Sequence, residues 1–413
     1  MKPFPVAIRQ RARRAVLALT LLVIIGTIAV WLGTEAVAEF RFRNAQEALR
    51  HFDFLEAREQ LRGCLALRPN RFQYHFAAAQ TERRAGDFRQ AQYHLDRCQE
   101  LAGDADISSL ERTLLHAQQG GVASVENPLW RLVEQNHSDK LLILEALAQG
   151  YVRVYSLPLA DKALKMLVEE QPAHAEAWFL RGGICELLGA SAEGLTYYRR
   201  AVDLRPMNDS YRWRLANCLL QTNHNEEAVP HLEELCRRQP NNPDALSGLA
   251  RALGHTDRKD RCRRLLARAL AIQPQHPQAL AVAAKLDLDD GKFDLARERL
   301  QKAIQADPTD RVNQYLLFQC LERAGQKEEA RQQHDRWKAL EKDLARLEEI
   351  VRHELPKKPR SADLYVELGV LFARYGKPDR ALRSYEQALA CDPHHAGAQR
   401  AIADLPSREG SPP

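Results

Sequence analysis

Residues 363–393 read DLYVELGVLFARYGKPDRALRSYEQALACDP, two apolar-periodic runs separated by Tyr375-Gly376-Lys377 and closed by Pro393. Apolar residues recur three and four positions apart in each run, which predicts two helices. The glycine permits a left-handed turn between them, and the proline cannot continue the second. The same punctuation runs back along the chain. Pro172, Pro206, Pro240, Pro274 and Pro308 stand at intervals of 34 residues and close the phrases VEEQP, VDLRP, CRRQP, LAIQP and IQADP. The interval also links Pro359 to Pro393 and Pro69 to Gly103.

With each such proline counted as position 32, position 8 is small in Gly182, Ala216, Ala250, Ala284 and Gly369. Position 20 is small in Ala57, Ala91, Ala160, Gly194, Ala228, Cys262, Ala296, Ala330 and Ala381. Position 24 is large in Leu61, Leu95, Leu164, Tyr198, Leu232, Leu266, Leu300 and Tyr385. Two antiparallel helices approach closely only where one offers a small residue, and a bulky neighbour fills the space beside it. Short turns recur between the helices, as in Ala85-Gly86-Asp87, Leu188-Gly189-Ala190, Asp290-Gly291-Lys292 and Ala324-Gly325-Gln326.

This pattern resembles the tetratricopeptide repeat family. Tyr365, Leu368, Gly369, Phe372, Gly376, Ala381, Tyr385, Ala388 and Pro393 occupy its signature positions, and Trp178, Gly182, Gly189, Tyr198, Ala201 and Pro206 repeat most of them. The resemblance implies an all-α, right-handed superhelical solenoid of nine to ten helix-turn-helix repeats over residues 38–405. It is irregular at 104–138, where Gly120-Gly121 and Asn127-Pro128 break the pattern. Between Pro308 and Pro359 the interval widens to 51, a half-repeat insertion that makes a long helix over 327–355. Its stripe of Leu340, Leu344, Leu347, Val351 and Leu355 is expected to pack on the neighbouring repeat, with an exposed seam for a partner helix as the alternative. Residues 406–413 read as a disordered tail.

The N-terminus reads differently. Lys2, Arg9, Arg11, Arg13 and Arg14 form a basic tail over residues 1–14, and Ala15–Gly33, AVLALTLLVIIGTIAVWLG, carries no charge. Nineteen helical residues reach roughly 30 Å, the thickness of a bilayer core. The reading is a transmembrane signal-anchor helix over 15–34, with the N-terminus cytoplasmic and the repeat body extracytoplasmic, periplasmic in a bacterium. Ala36-Val37-Ala38 keeps open a cleaved secretory signal instead.

Beyond the basic tail, acidic and basic side chains are equal in number, so the formal charge of +5 belongs to the first residues. A neutral body lacks the clustered cations that bind a phosphate backbone, which argues against nucleic acid. The eight cysteines are scattered without a C-x-x-C and read as small buried residues. No phosphate-binding loop, nucleophile elbow, H-E-x-x-H or dinucleotide turn is present, so no enzyme and no cofactor are expected. Asp287-Leu288-Asp289-Asp290-Gly291 fails as a calcium loop because Leu286 and Leu288 fall at ligand positions, and His394-His395 has no supporting ligands.

A binding surface remains. In the family, positions 2, 5, 6 and 9 of the first helix commonly face the groove. Position 5 then supplies Phe179, Trp213 and Tyr315, and position 9 supplies Asn217, Arg251 and Lys285. Rings would pack peptide side chains while amide and cationic donors hold carbonyls or a carboxylate. The paired Lys and Asn of a carboxylate clamp are absent in full, and Glu145, Glu186 and Asp244 would oppose an acidic tail. The expected function is a membrane-anchored scaffold or adaptor whose partners are proteins or peptides, with atypical end repeats open to self-association. The alternative is a non-catalytic accessory subunit of an envelope enzyme or assembly system serving glycosyl transfer, cytochrome maturation or envelope biogenesis.

Overall fold

Every element of the computed structural model is helical among the described residues, 6–102, 108–254 and 259–405, with side chains described from Ile25 onward except at Ala102. The chain divides into two compact units, Met1–Gln119 and Gly120–Pro413.

The first unit holds α1 (Val6–Arg50), α2 (Phe54–Leu67), α3 (Phe72–Arg84), α4 (Phe88–Ala102) and α5 (Ser109–His116). Helix α1 packs through its second half. Ala38, Ala45 and Ala48 are buried, and Phe42 lies between two small apolar clusters with its ring 5.0 Å from Tyr74. Asp53 caps α2 by accepting from the Glu56 backbone N–H at 3.1 Å. The buried Arg83 guanidinium donates to Glu111 and, at 2.8 Å, to Gln118, so its charge is compensated inside the unit.

The second unit opens with a π turn around Gly120 and α6 (Val122–Glu134). Helix pairs follow: α7 (Lys140–Arg153) with α8 (Leu157–Glu170), α9 (Ala175–Leu187) with α10 (Ser191–Leu204), α11 (Asp209–Gln221) with α12 (Asn225–Arg238), and α13 (Pro243–Leu253) with α14 (Lys259–Ile272). Next come α15 (Pro277–Asp289) with α16 (Phe293–Ala306), α17 (Arg311–Arg323) with the long α18 (Lys327–Glu349), α19 (Ala362–Arg374) with α20 (Pro378–Cys391), and the short α21 (Ala396–Ala403).

Three local devices generate the repeat. The residue two after a terminal proline caps the next helix at six places, where His174, Asn208, Asn242, His276, Asp310 and His395 each accept a backbone N–H of the first turn. The small–large pairing is literal at Gly182, where a Cβ would stand 2.6 Å from the Tyr198 ring, and recurs between Gly369 and Tyr385. The described turns inside the pairs of the second unit carry a left-handed residue, supplied by glycine at Gly376 (φ 65°) but by Tyr155 (φ 57°) after α7 and Asn223 (φ 61°) after α11. In the long α18 region, Leu340, Val351 and Leu355 are buried while Leu344 and Leu347 are half-buried, and a π turn at Ile350–Glu354 ends the helix.

The N-terminal expectation is corrected. Among the described residues no helix is long and apolar enough to cross a membrane. The apolar run does not end near residue 34 as a separate anchor; α1 continues to Arg50 as the first packing helix of the unit. Cys64 Sγ contacts the Ala38 carbonyl at 3.3 Å inside that packing. The helix preceding the solenoid as a transmembrane element, the membrane partner, and the cytoplasmic and extracytoplasmic assignment all rested on that run and are withdrawn. The membrane-anchored scaffold and the envelope accessory role fall with them. The basic tail and the side chains through residue 24 lie outside the described residues, as does the tail at 406–413.

Candidate functional site

The first helices of four successive pairs, α11, α13, α15 and α17, pack side by side in the second unit. A cavity of about 500 Å³ lies along them, within the range of small-ligand and peptide pockets. Position 9 falls into it three times in succession: Asn217 from α11, Arg251 from α13 and Lys285 from α15. Val282 and Leu316 give apolar wall, and Asp289, Asp307 and Asp310 line the side nearest α17.

Arg251 is the anchored member of the row. Its Nη2 donates to the Leu220 carbonyl at 3.3 Å, and burial pushes its guanidinium below the ordinary arginine range, opposed by the charge of Asp310. Asn217 and Lys285 make no side-chain hydrogen bond or ion pair among the described residues, so both present polar atoms to the cavity. Burial raises the Asp307 carboxyl, but the bonds from Thr309 and the Lys377 ammonium, 3.1 Å away, bring it below the usual carboxylate range. Asp310 accepts from Val312 and Asn313 at the start of α17, which fixes the acidic edge on that helix.

The structure does not gather all six expected contact residues. Trp213 is half-buried against the core, with its indole pressed on Gly248 of the next first helix, a packing contact between repeats. Tyr315 lies outside this cavity and joins Trp337 (5.1 Å) and Phe318 (5.7 Å) on α17 and α18. Phe179 stacks on Tyr211 at 4.7 Å and lines a different cavity. Of the acids expected to oppose an acidic tail, Asp244 meets His276 at 3.0 Å and Glu186 accepts from Tyr198 Oη at 2.6 Å. The acids that face the groove are Asp289, Asp307 and Asp310, which sequence reasoning missed. Asp307 and Asp310 flank the terminal proline of their repeat, where a capping role is the visible signal and the cavity is not.

The arrangement offers an amide, a guanidinium and an ammonium in a row, suited to peptide carbonyls and polar side chains. Among the described residues no group of three or more His, Cys, Asp or Glu can hold a metal, and Asp287 of the former calcium-like stretch is bound by Arg299. The protein is a helical-repeat protein.

Two profiles, both described as tetratricopeptide repeat, match the chain, one over residues 224–286 and 287–350 and the other over 146–209 and 341–396. The human protein named tetratricopeptide repeat protein 16 is 22% identical over 316 residues, covering 64% of this chain and 36% of its own length, and its Macaca fascicularis counterpart matches equally. The chain thus spans about a third of the length of these curated relatives. Among solved structures, a tetratricopeptide repeat protein from Parabacteroides merdae aligns with 16% identity over 64% of this chain and 97% of its own, at a TM-score of 0.40. The Cut9–Hcn1 assembly of the APC/C aligns with 12% identity over 90% and 76%, at 0.41. MamA from Desulfovibrio magneticus RS-1 aligns with 19% identity over 41% and 95%, at 0.37. With the repeat profiles together covering more than half of its residues, and with capping, turn and small–large pairing all in register, the chain belongs to the tetratricopeptide repeat family.

Proposed function

We propose that the protein is a non-catalytic scaffold that holds an extended segment of a partner protein in the groove lined by Asn217, Arg251 and Lys285. The observation that carries this reading is the convergence of three polar side chains, one repeat apart, in one cavity with an apolar wall. An extended peptide rises about 3.3 Å per residue and alternates its side chains, so a row of donors spaced by stacked helices meets its backbone at intervals while Val282 and Leu316 receive apolar side chains. The acidic edge at Asp289, Asp307 and Asp310 selects against acidic segments and favours a basic side chain at the α17 end.

The test is selection from a random peptide library displayed on phage, followed by binding of the selected peptides to the native chain and to an Asn217→Ala, Arg251→Ala, Lys285→Ala variant. Selected peptides should share a basic position and lose at least about tenfold in affinity on the variant, given the value of charge-assisted bonds, with helical content unchanged. Equal binding to both proteins would place the peptide elsewhere and refute the groove.

A further inference from the structure

A second, larger cavity of about 660 Å³ opens in the second unit, where elements far apart in sequence meet. Its walls come from α7, α9 and α11 on one side and from α20 on the other. Four arginines line it, Arg153 on α7, Arg214 on α11, and Arg380 and Arg383 on α20, against the single carboxylate of Glu186. That carboxylate is engaged by Tyr198 Oη at 2.6 Å and lies 3.7 Å from the Arg214 guanidinium. Asp379 precedes Arg380 on the helix but does not line the cavity.

The two arginine pairs are brought together by contacts that close the unit on itself. The Tyr155 ring stacks on Phe372, Arg360 bonds Glu126, and Arg380 lies over the Phe372 ring at 5.8 Å. Arg153 and Arg383 consequently face each other closely enough that burial first, and the Arg383 charge second, push the Arg153 guanidinium below its ordinary range. Like charges converging on a concave, partly desolvated space raise its potential and favour an anion there. Guanidinium forks fit oxyanions bidentately.

We propose that this chamber binds a small ligand carrying two or more phosphate groups. Guanidinium groups outnumber carboxylates in the lining, with Arg380 and Arg383 adjacent on one helix and Arg214 across from them, and a phosphate monoester brings about 1.5 to 2 negative charges where a carboxylate brings one, so a ligand with more than one phosphate engages both walls. The volume suits a small molecule, and Phe179 and Tyr155 provide ring faces at the wall for the part of the ligand that bears the phosphates. The site is separate from the peptide groove, since none of Asn217, Arg251 and Lys285 lines it.

Inorganic pyrophosphate is the probe, titrated into the full chain by calorimetry at physiological salt, with sulfate as the control anion. Pyrophosphate should bind at least about tenfold more tightly than sulfate, and Arg380→Gln/Arg383→Gln should weaken it at least about tenfold. The exposed Arg214→Gln serves as a second variant should the first unfold. Amide exchange should slow in α7 and α20 together on binding, and the groove triple variant should bind pyrophosphate as the native chain does. Pyrophosphate binding no tighter than sulfate, or undiminished in both arginine variants, overturns the assignment.

Discussion

Tyr155 stacks on Phe372 with ring centroids 5.7 Å apart, and it does so from a left-handed backbone conformation (φ 57°) at a turn position held by Gly189, Gly291, Gly325 and Gly376 in other pairs and by Asn223 in one. That conformation costs a non-glycine residue about 1–2 kcal/mol, and the ring contact between the first and last helix pairs of the second unit acts in the opposite direction. Arg360 donates to Glu126 at 3.0 Å beside the same junction.

A double-mutant cycle with Tyr155→Leu and Phe372→Leu measures that junction. The coupling energy should be about 0.5–1.5 kcal/mol, the value of an aromatic pair beyond its buried area. Additive effects would mean that the two rings stabilise the unit independently.

Gly369→Ala should destabilise the second unit by about 1–3 kcal/mol, because the added methyl overlaps the Tyr385 ring. Combining it with Tyr385→Leu should cost less than the sum of the two single changes, measured by urea denaturation.

The first unit should weaken in acid. His75 and His94 face each other through Nδ1 atoms 3.0 Å apart, and burial, then the neighbouring His75, lower the His94 imidazole to about 4 from 6.5. The unfolded chain therefore binds the proton first. Stability from this group is complete above about pH 6.5 and is lost as pH falls toward 4, by up to about 3 kcal/mol. His94→Gln should flatten that slope between pH 6.5 and 4 in denaturation curves of the full chain.

Cysteine reactivity follows burial. Burial pushes the thiols of Cys64, Cys98, Cys185 and Cys218 up to about 11, and only Cys236 and Cys391 are partly exposed. Iodoacetamide at pH 8 should label Cys236 and Cys391 first, with the remaining six reacting only in denaturant.

The repeat register was legible because its causes are local. The 34-residue proline interval, the Gly182–Tyr198 and Gly369–Tyr385 pairs and the turn glycines each act within one unit of the pattern. Register also brings Asn217, Arg251 and Lys285 into one cavity. It did not reveal that position 5 turns Trp213 into Gly248, nor that Trp337 of α18 lies against Tyr315. The contact between Tyr155 and Phe372 depends on rotation accumulated over the whole unit, which no short window of sequence encodes. At the N-terminus, the uncharged run Ala15–Gly33 behind a basic tail read as an anchor, whereas packing at Ala38, Phe42 and Ala45 makes the same helix part of the first unit.

The central claim is that the α11–α13–α15 row holds a partner segment. A photo-crosslinking amino acid placed at Ala281, inside the groove, and separately at the exposed Arg264 of α14, outside it, tests this with a library-selected peptide. Crosslinking from position 281 that disappears in the Asn217→Ala, Arg251→Ala, Lys285→Ala background is the predicted result; crosslinking from 264 and none from 281 would contradict it.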